Sequence, residues 1–151
     1  MAWTTWLGFG GAMLAGAFVA MQPGINGGLA KRLESPFQAA VMSFTIGLTA
    51  LIGVCVARGI TPYRVSALRS APLWQLLGGG LVGAFFVTTA LSVAPRIGAA
   101  SWIALALAGQ IIASLVLDHF GWVGFTKQPI NAYRLAGAML LFVGVVLVSR
   151  H

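Results

Sequence analysis

The sequence predicts an all-α integral membrane protein, a bundle of five transmembrane helices, and three observations carry that expectation. Of the 151 residues, 59% are hydrophobic and only 7% charged, against roughly 25% charged in a soluble domain, so water would not keep this surface dispersed. Charge-free runs occupy residues 1–30, 35–57, 70–95, 97–117 and 135–149, and a bilayer span needs about 20 mostly apolar residues. The runs show no period-two alternation and are longer than the roughly 10-residue strands of a membrane barrel. One membrane domain, residues 1–151, is therefore expected, with helices near 5–30, 36–57, 71–94, 97–119 and 131–149.

The first span has no basic amino-terminal region, and its apolar stretch is about twice that of a secretory signal, so it is expected to stay as a permanent helix. It places Gly8, Ala12, Gly16, Ala20, Gly24 and Gly28 at four-residue spacing, a winding groove that lets a neighbouring backbone approach closely. Pro23 removes one amide donor and frees the Val19 carbonyl, so Pro23 with Gly24 and Gly27 is expected to act as a break or hinge. The third span repeats the small-residue device with Gly79 and Gly83, and with Gly80 and Ala84. Both sets suit either a subunit interface or packing inside one chain. Neither glycine-rich run is a phosphate loop, for the Lys and Ser or Thr that such a loop needs are missing. The fifth run is the shortest, but Arg134 can snorkel its charge to the interface, so a span from Asn131 reaches about 28 Å.

A net charge of +7 would suggest nucleic acid in a soluble protein, but here the basic residues fall in the connections, the pattern of a membrane protein. Five spans put the termini on opposite faces. The amino-terminal face then holds five Lys and Arg (Arg58, Arg64, Arg69, Lys127, Arg134) and the other four (Lys31, Arg32, Arg96, Arg150), a slight bias toward an inside amino terminus. Trp3, Trp6, Tyr63, Trp74, Trp122 and Tyr133 fall on the amino-terminal face, as headgroup anchors should, with Trp102 toward the opposite one. An odd, weakly biased bundle is half of an inverted-repeat transporter unit. The expected partner, besides the lipid bilayer, is a second five-helix subunit of opposite orientation, itself or another chain; a self-sufficient monomer or parallel oligomer is the alternative.

Chemistry is limited by what is present. Cys55 is the only cysteine, and two acids with two histidines supply neither a metal site nor a hydrolytic triad, so no enzyme, metal or cofactor is expected. Polar residues inside the spans are the remaining signal. Gln22 and Asn26 share a helix face beside Pro23, while Gln110, Ser114 and Asp118 follow at four-residue spacing on the fourth span. Gln22 lies about 13 Å in from Lys31, and Gln110 about 12 Å in from Asp118, so both reach the middle third of a core about 30 Å thick. They are expected to meet as a polar track that binds a small molecule of low net charge, the alternative being amides that only bond a neighbouring helix. Asp118 is expected to serve as a gate or in an ion pair, Glu34 to pair with Lys31, and His119 to sit at the interface.

The segments MQPGINGGLAKRLESPFQAAVMSFTIG and PLWQLLGGGLVGAFFVTTALSVAPRIGAASWIALALAGQIIASLVLDHFGWVG resemble the YdcZ-like family of five-helix bacterial inner-membrane proteins in the drug/metabolite transporter superfamily. Gln22, Asn26, Pro95, Gly98, Gln110, Ser114, Asp118 and Gly121 fall on positions typical of it. The resemblance implies an exporter of small metabolites or drugs, multi-pass in the inner membrane and working as a dimer of oppositely oriented subunits or as a fused ten-helix chain. Small multidrug relatives use a glutamate embedded in the first helix, and none stands in the first span here. The expected mechanism is alternating access around Gln22, Asn26, Gln110 and Ser114. The rival readings are a non-transporting membrane subunit that stabilises a partner, and an ion channel.

Overall fold

The computed structural model describes residues 3–60 and 65–150. The expectations for Tyr63, Arg64 and His151, and for the side chain of Trp3, fall outside the described residues. Six α-helices and one 3-10 turn follow in order: α1 (Trp3–Leu33), α2 (Pro36–Ala57), α3 (Val65–Ser70), α4 (Leu73–Ile97), α5 (Ala99–Phe120), η1 (Trp122–Gly124) and α6 (Ala132–Ser149). Five of them are long and apolar enough to cross a membrane, with mean hydropathies of 1.2 to 2.2, and there is no strand among the described residues. The chain is all-α, as expected; the short α3, in the second connection, had no signal in the periodicity. Two compact units divide it, Met1–Arg96 and Ile97–His151.

In the first unit the turn between α1 and α2 sets everything that follows. The Ser35 amide donates to the Ala30 carbonyl at 3.1 Å while Glu34 sits at φ 54, the six-to-one bond and left-handed residue that end a helix in a Schellman motif. Ser35 then caps α2, its Oγ accepting from the Gln38 amide at 3.3 Å, and Pro36 opens the helix where no amide donor is needed. Glu34 makes no ion pair among the described residues, so the expected pairing with Lys31 gives way to a backbone role. A side chain at φ 54 is strained where glycine is not. Glu34→Gly is expected to raise the stability of the purified protein by about 1 kcal/mol, read as an upward shift in thermal unfolding.

This two-residue turn lays α2 antiparallel against α1 in one register. Asn26, eight residues before Glu34, meets Ser43, eight after Ser35, and Leu29 and Ala30 pack on Ala40 and Ala39. Helix α4 runs parallel to α1, with Leu91 and Val87 packed into the same small core and Pro95 against Gly27. Alanines 0–4% exposed at the contact let the backbones close. α1 continues without interruption through Pro23, and α4 through Pro95 to Ile97. Each proline therefore loosens a turn by one missing bond and does not end the helix. The small-residue stripes divide in use. Gly83 lies under the Phe44 ring, at 3.6 Å from a methyl built there, whereas a methyl at Gly8, Gly16 or Gly79 would meet nothing within 4 Å among the described residues. Ala12 is likewise exposed and Ala20 half-buried.

In the second unit Gly98 starts α5 at φ 87, ψ 154, a conformation essentially confined to glycine. Gly121 ends the helix at φ 70, with Lys127 and the Phe125 carbonyl so close that a Cβ would stand 3.3 Å from the former. The loop that follows is tied back by the Gln128 amide, which donates to the Asp118 carbonyl at 2.7 Å, and the Ile130 amide, which donates to His119 Nδ1 at 3.2 Å. Asn131 caps α6 through its Oδ1, which accepts from the Arg134 amide at 2.9 Å. α6 then returns antiparallel to α5. Trp102, near the amino end of α5, is 8% exposed, so it serves packing more than anchoring. Trp6, Trp74, Trp122 and Tyr133 are exposed, as headgroup anchors require.

Candidate functional site

The first unit carries a recess at the depth of Gln22. Gln22 from α1, Ser43, Phe44, Gly47, Leu48 and Leu51 from α2, and Val87 from α4 line about 430 Å³. The α1–α2 register explains the opening: Gln22, twelve residues before Glu34, stands opposite Gly47, twelve after Ser35, and Gly47 has no side chain to fill the space. One turn toward the hairpin, the register brings Asn26 to Ser43, and its Nδ2 donates to Ser43 Oγ at 3.1 Å. Asn26 is 9% exposed and Pro23 and Gly27 are buried, so that part of α1 is closed. Gln22 is exposed, and its amide has no hydrogen-bond partner among the described residues. The Ser43 hydroxyl accepts from Asn26, and its own proton finds no acceptor among them. The recess thus offers an unspent amide and a hydroxyl proton within hydrocarbon walls, which a ligand group satisfies better than lipid does.

The Asn26–Ser43 bond also holds the hairpin. Hydrogen bonds between membrane helices average about 0.6 kcal/mol in double-mutant cycles, but a buried amide left without its acceptor costs more. Ser43→Ala is expected to destabilise the purified protein by about 1 kcal/mol, measured by thermal unfolding.

In the second unit Gln110 and Ser114 are exposed on α5, Gln110 without a partner among the described residues and Ser114 donating to the Ile111 carbonyl at 2.9 Å. Asp118 is ion-paired with Arg134. Its Oδ2 receives Arg134 Nη2, while Arg134 Nη1 donates to the Gln128 carbonyl at 2.9 Å. The described residues hold no cluster of three His, Cys, Asp or Glu able to bind a metal.

The family described as "Putative inner membrane exporter, YdcZ" matches residues 7–147. The chain belongs to the YdcZ family. It is also similar to the "Inner membrane protein YdcZ" of Escherichia coli (strain K12), at 36% identity over 109 residues, covering 69% of this chain and 72% of that one. No solved structure matches. As a YdcZ-family member with five apolar helices, the chain is a multi-pass inner-membrane protein, and a transporter role is supported.

Ser43, Phe44 and Gly47 were not singled out by sequence, although they are three of the seven described residues that line the recess. The signal existed in the Glu34–Ser35 junction: counting outward equally from it pairs Asn26 with Ser43 and Gln22 with Gly47. Gln22 and Gln110 lie in different compact units.

Proposed function

We propose that this chain exports a small polar or amphiphilic molecule by alternating access, as one of two subunits of opposite orientation. The observation that carries the reading is the Gln22 amide, partnerless among the described residues beside a recess of about 430 Å³, on a helix where its distance from Lys31 is expected to put it in the middle third of the bilayer, in a family described as inner-membrane exporters. Gln22 and the Ser43 hydroxyl hydrogen-bond the substrate, and Asn26 orients Ser43. Within the second unit Gln110 and Ser114 are polar groups open to substrate, Pro23, Gly24 and Gly27 let α1 flex, and Asp118 with Arg134 braces the loop before α6. Gly8, Ala12, Gly16 and Ala20, with Gly79, present the surface on which the opposite subunit approaches. A protein whose only role is to stabilise a partner needs no unspent amide at this depth. The test is reconstitution: metabolites that raise the unfolding temperature of the purified protein are assayed for accumulation in liposomes. Saturable flux without unitary currents is expected; absence of both binding and flux, or channel-sized currents, overturns the reading.

A further inference from the structure

The same three helices form a second recess at the Glu34–Ser35 end of the unit. Lys31, Glu34, Ser35, Leu91, Pro95 and Arg96 are among the residues that line its roughly 320 Å³. It stands in series with the recess at Gln22. Val87 lines the inner recess and Leu91, one turn on, the outer. Between them lie the Asn26–Ser43 bond and the contact of Ala39 and Ala40 with Leu91.

Its charges are not used internally. Lys31 and Arg96 line it together with one carboxylate, Glu34, and neither cation is ion-paired among the described residues. Arg134 of the second unit is different, being held by both Asp118 and the Gln128 carbonyl. The Ser35 Oγ accepts the Gln38 amide and keeps its proton for another acceptor, while the Ser92 proton is already given to the Thr88 carbonyl at 2.8 Å. Two cations and a serine with an unspent proton therefore line a space whose walls also include the apolar Leu91 and Pro95. Charge-assisted bonds to phosphate or carboxylate are the strongest contacts such a set can make.

We propose that this outer recess binds a single anionic group, phosphate or carboxylate, borne on an apolar body, with Lys31 and Arg96 as counter-charges and Ser35 as a hydroxyl donor. Glu34 weakens the site and tunes it. A soluble amphiphilic anion and the headgroup of an acidic phospholipid share this chemistry. The site does not depend on transport or on Gln22.

The test uses the full chain in phosphatidylcholine nanodiscs, titrated with 4-phenylbutyrate and with its cationic counterpart 4-phenylbutylamine. The carboxylate is expected to bind and the amine not to. Lys31→Gln and Arg96→Gln are each expected to weaken binding about tenfold, Glu34→Gln to tighten it about threefold, and Gln22→Leu to leave it unchanged. Nanodiscs doped with phosphatidylglycerol distinguish the source: competition that depends on Lys31 and Arg96 assigns the site to lipid headgroups, and undisturbed 4-phenylbutyrate binding assigns it to soluble anions. The proposal is overturned if neither anion depends on the two cations, or if the amine binds as well as the carboxylate. Because Glu34→Gln must improve binding, misfolding cannot mimic the expected result.

Discussion

Gln22→Leu is expected to lower the affinity of the purified protein for its transported substrate by roughly 5- to 150-fold, the equivalent of about 1–3 kcal/mol for a hydrogen-bonding group left unsatisfied on the ligand. Leucine is close to glutamine in size and better suited to hydrocarbon, and Gln22 holds no other described residue that the substitution would release. Stability should therefore be unchanged or slightly higher. Gly47→Leu makes the same point by a different route. A Cβ at Gly47 meets nothing within 4 Å, so the helix accommodates the side chain, which grows into the recess facing Gln22. Flux in liposomes is expected to fall below detection in this variant while thermal unfolding stays cooperative. Normal flux in both variants would show that substrate does not pass this recess, and the assignment of Gln22 would be lost.

Arg134→Ala is expected to be the most destabilising exposed-face change in the second unit, by about 1–3 kcal/mol. Its guanidinium joins Asp118 at the end of α5 to the Gln128 carbonyl in the loop, with the two side chains 29% and 20% exposed. That is more shielded than the surface pairs that contribute almost nothing. Removing either partner strands the other in a poorly hydrated place. Asp118→Ala should therefore cost a comparable amount, and the double variant less than the two combined, which a double-mutant cycle on thermal unfolding measures. Additive losses would mean that the pair is not coupled and that the bond to Gln128 alone ties the loop down.

Much of the fold was legible because its signals are local. Span positions follow from runs of apolar residues; the structure adds the single residues that fix several ends, Ser35 and Asn131 capping α2 and α6 and Gly121 closing α5. The expected ends moved by a few residues where a helix could go on at little cost, as at Leu33 beyond Lys31 and Arg32, and at Ile97 beyond Pro95. A proline in the last turn of a helix forfeits one bond, too little to stop a chain in an apolar surrounding where an open backbone costs more. The site was less legible. Gln22 and Asn26 read as equivalent, one face and one turn apart, yet Asn26 is enclosed by Ser43 and Gln22 is left open beside Gly47.

By itself, then, the sequence determined that this protein lives in a membrane, how many helices are long and apolar enough to cross it, and which few polar groups those helices carry. Only the tertiary structure decided what those groups meet: Asn26 a hydroxyl, Gln22 an empty space, Asp118 an arginine sixteen residues on, and Lys31 and Arg96 one shared recess. The reason is physical. Hydropathy and capping act within a turn or two of helix, whereas a contact across helices depends on register, and register is set by a two-residue turn and by which neighbours are small enough to close upon.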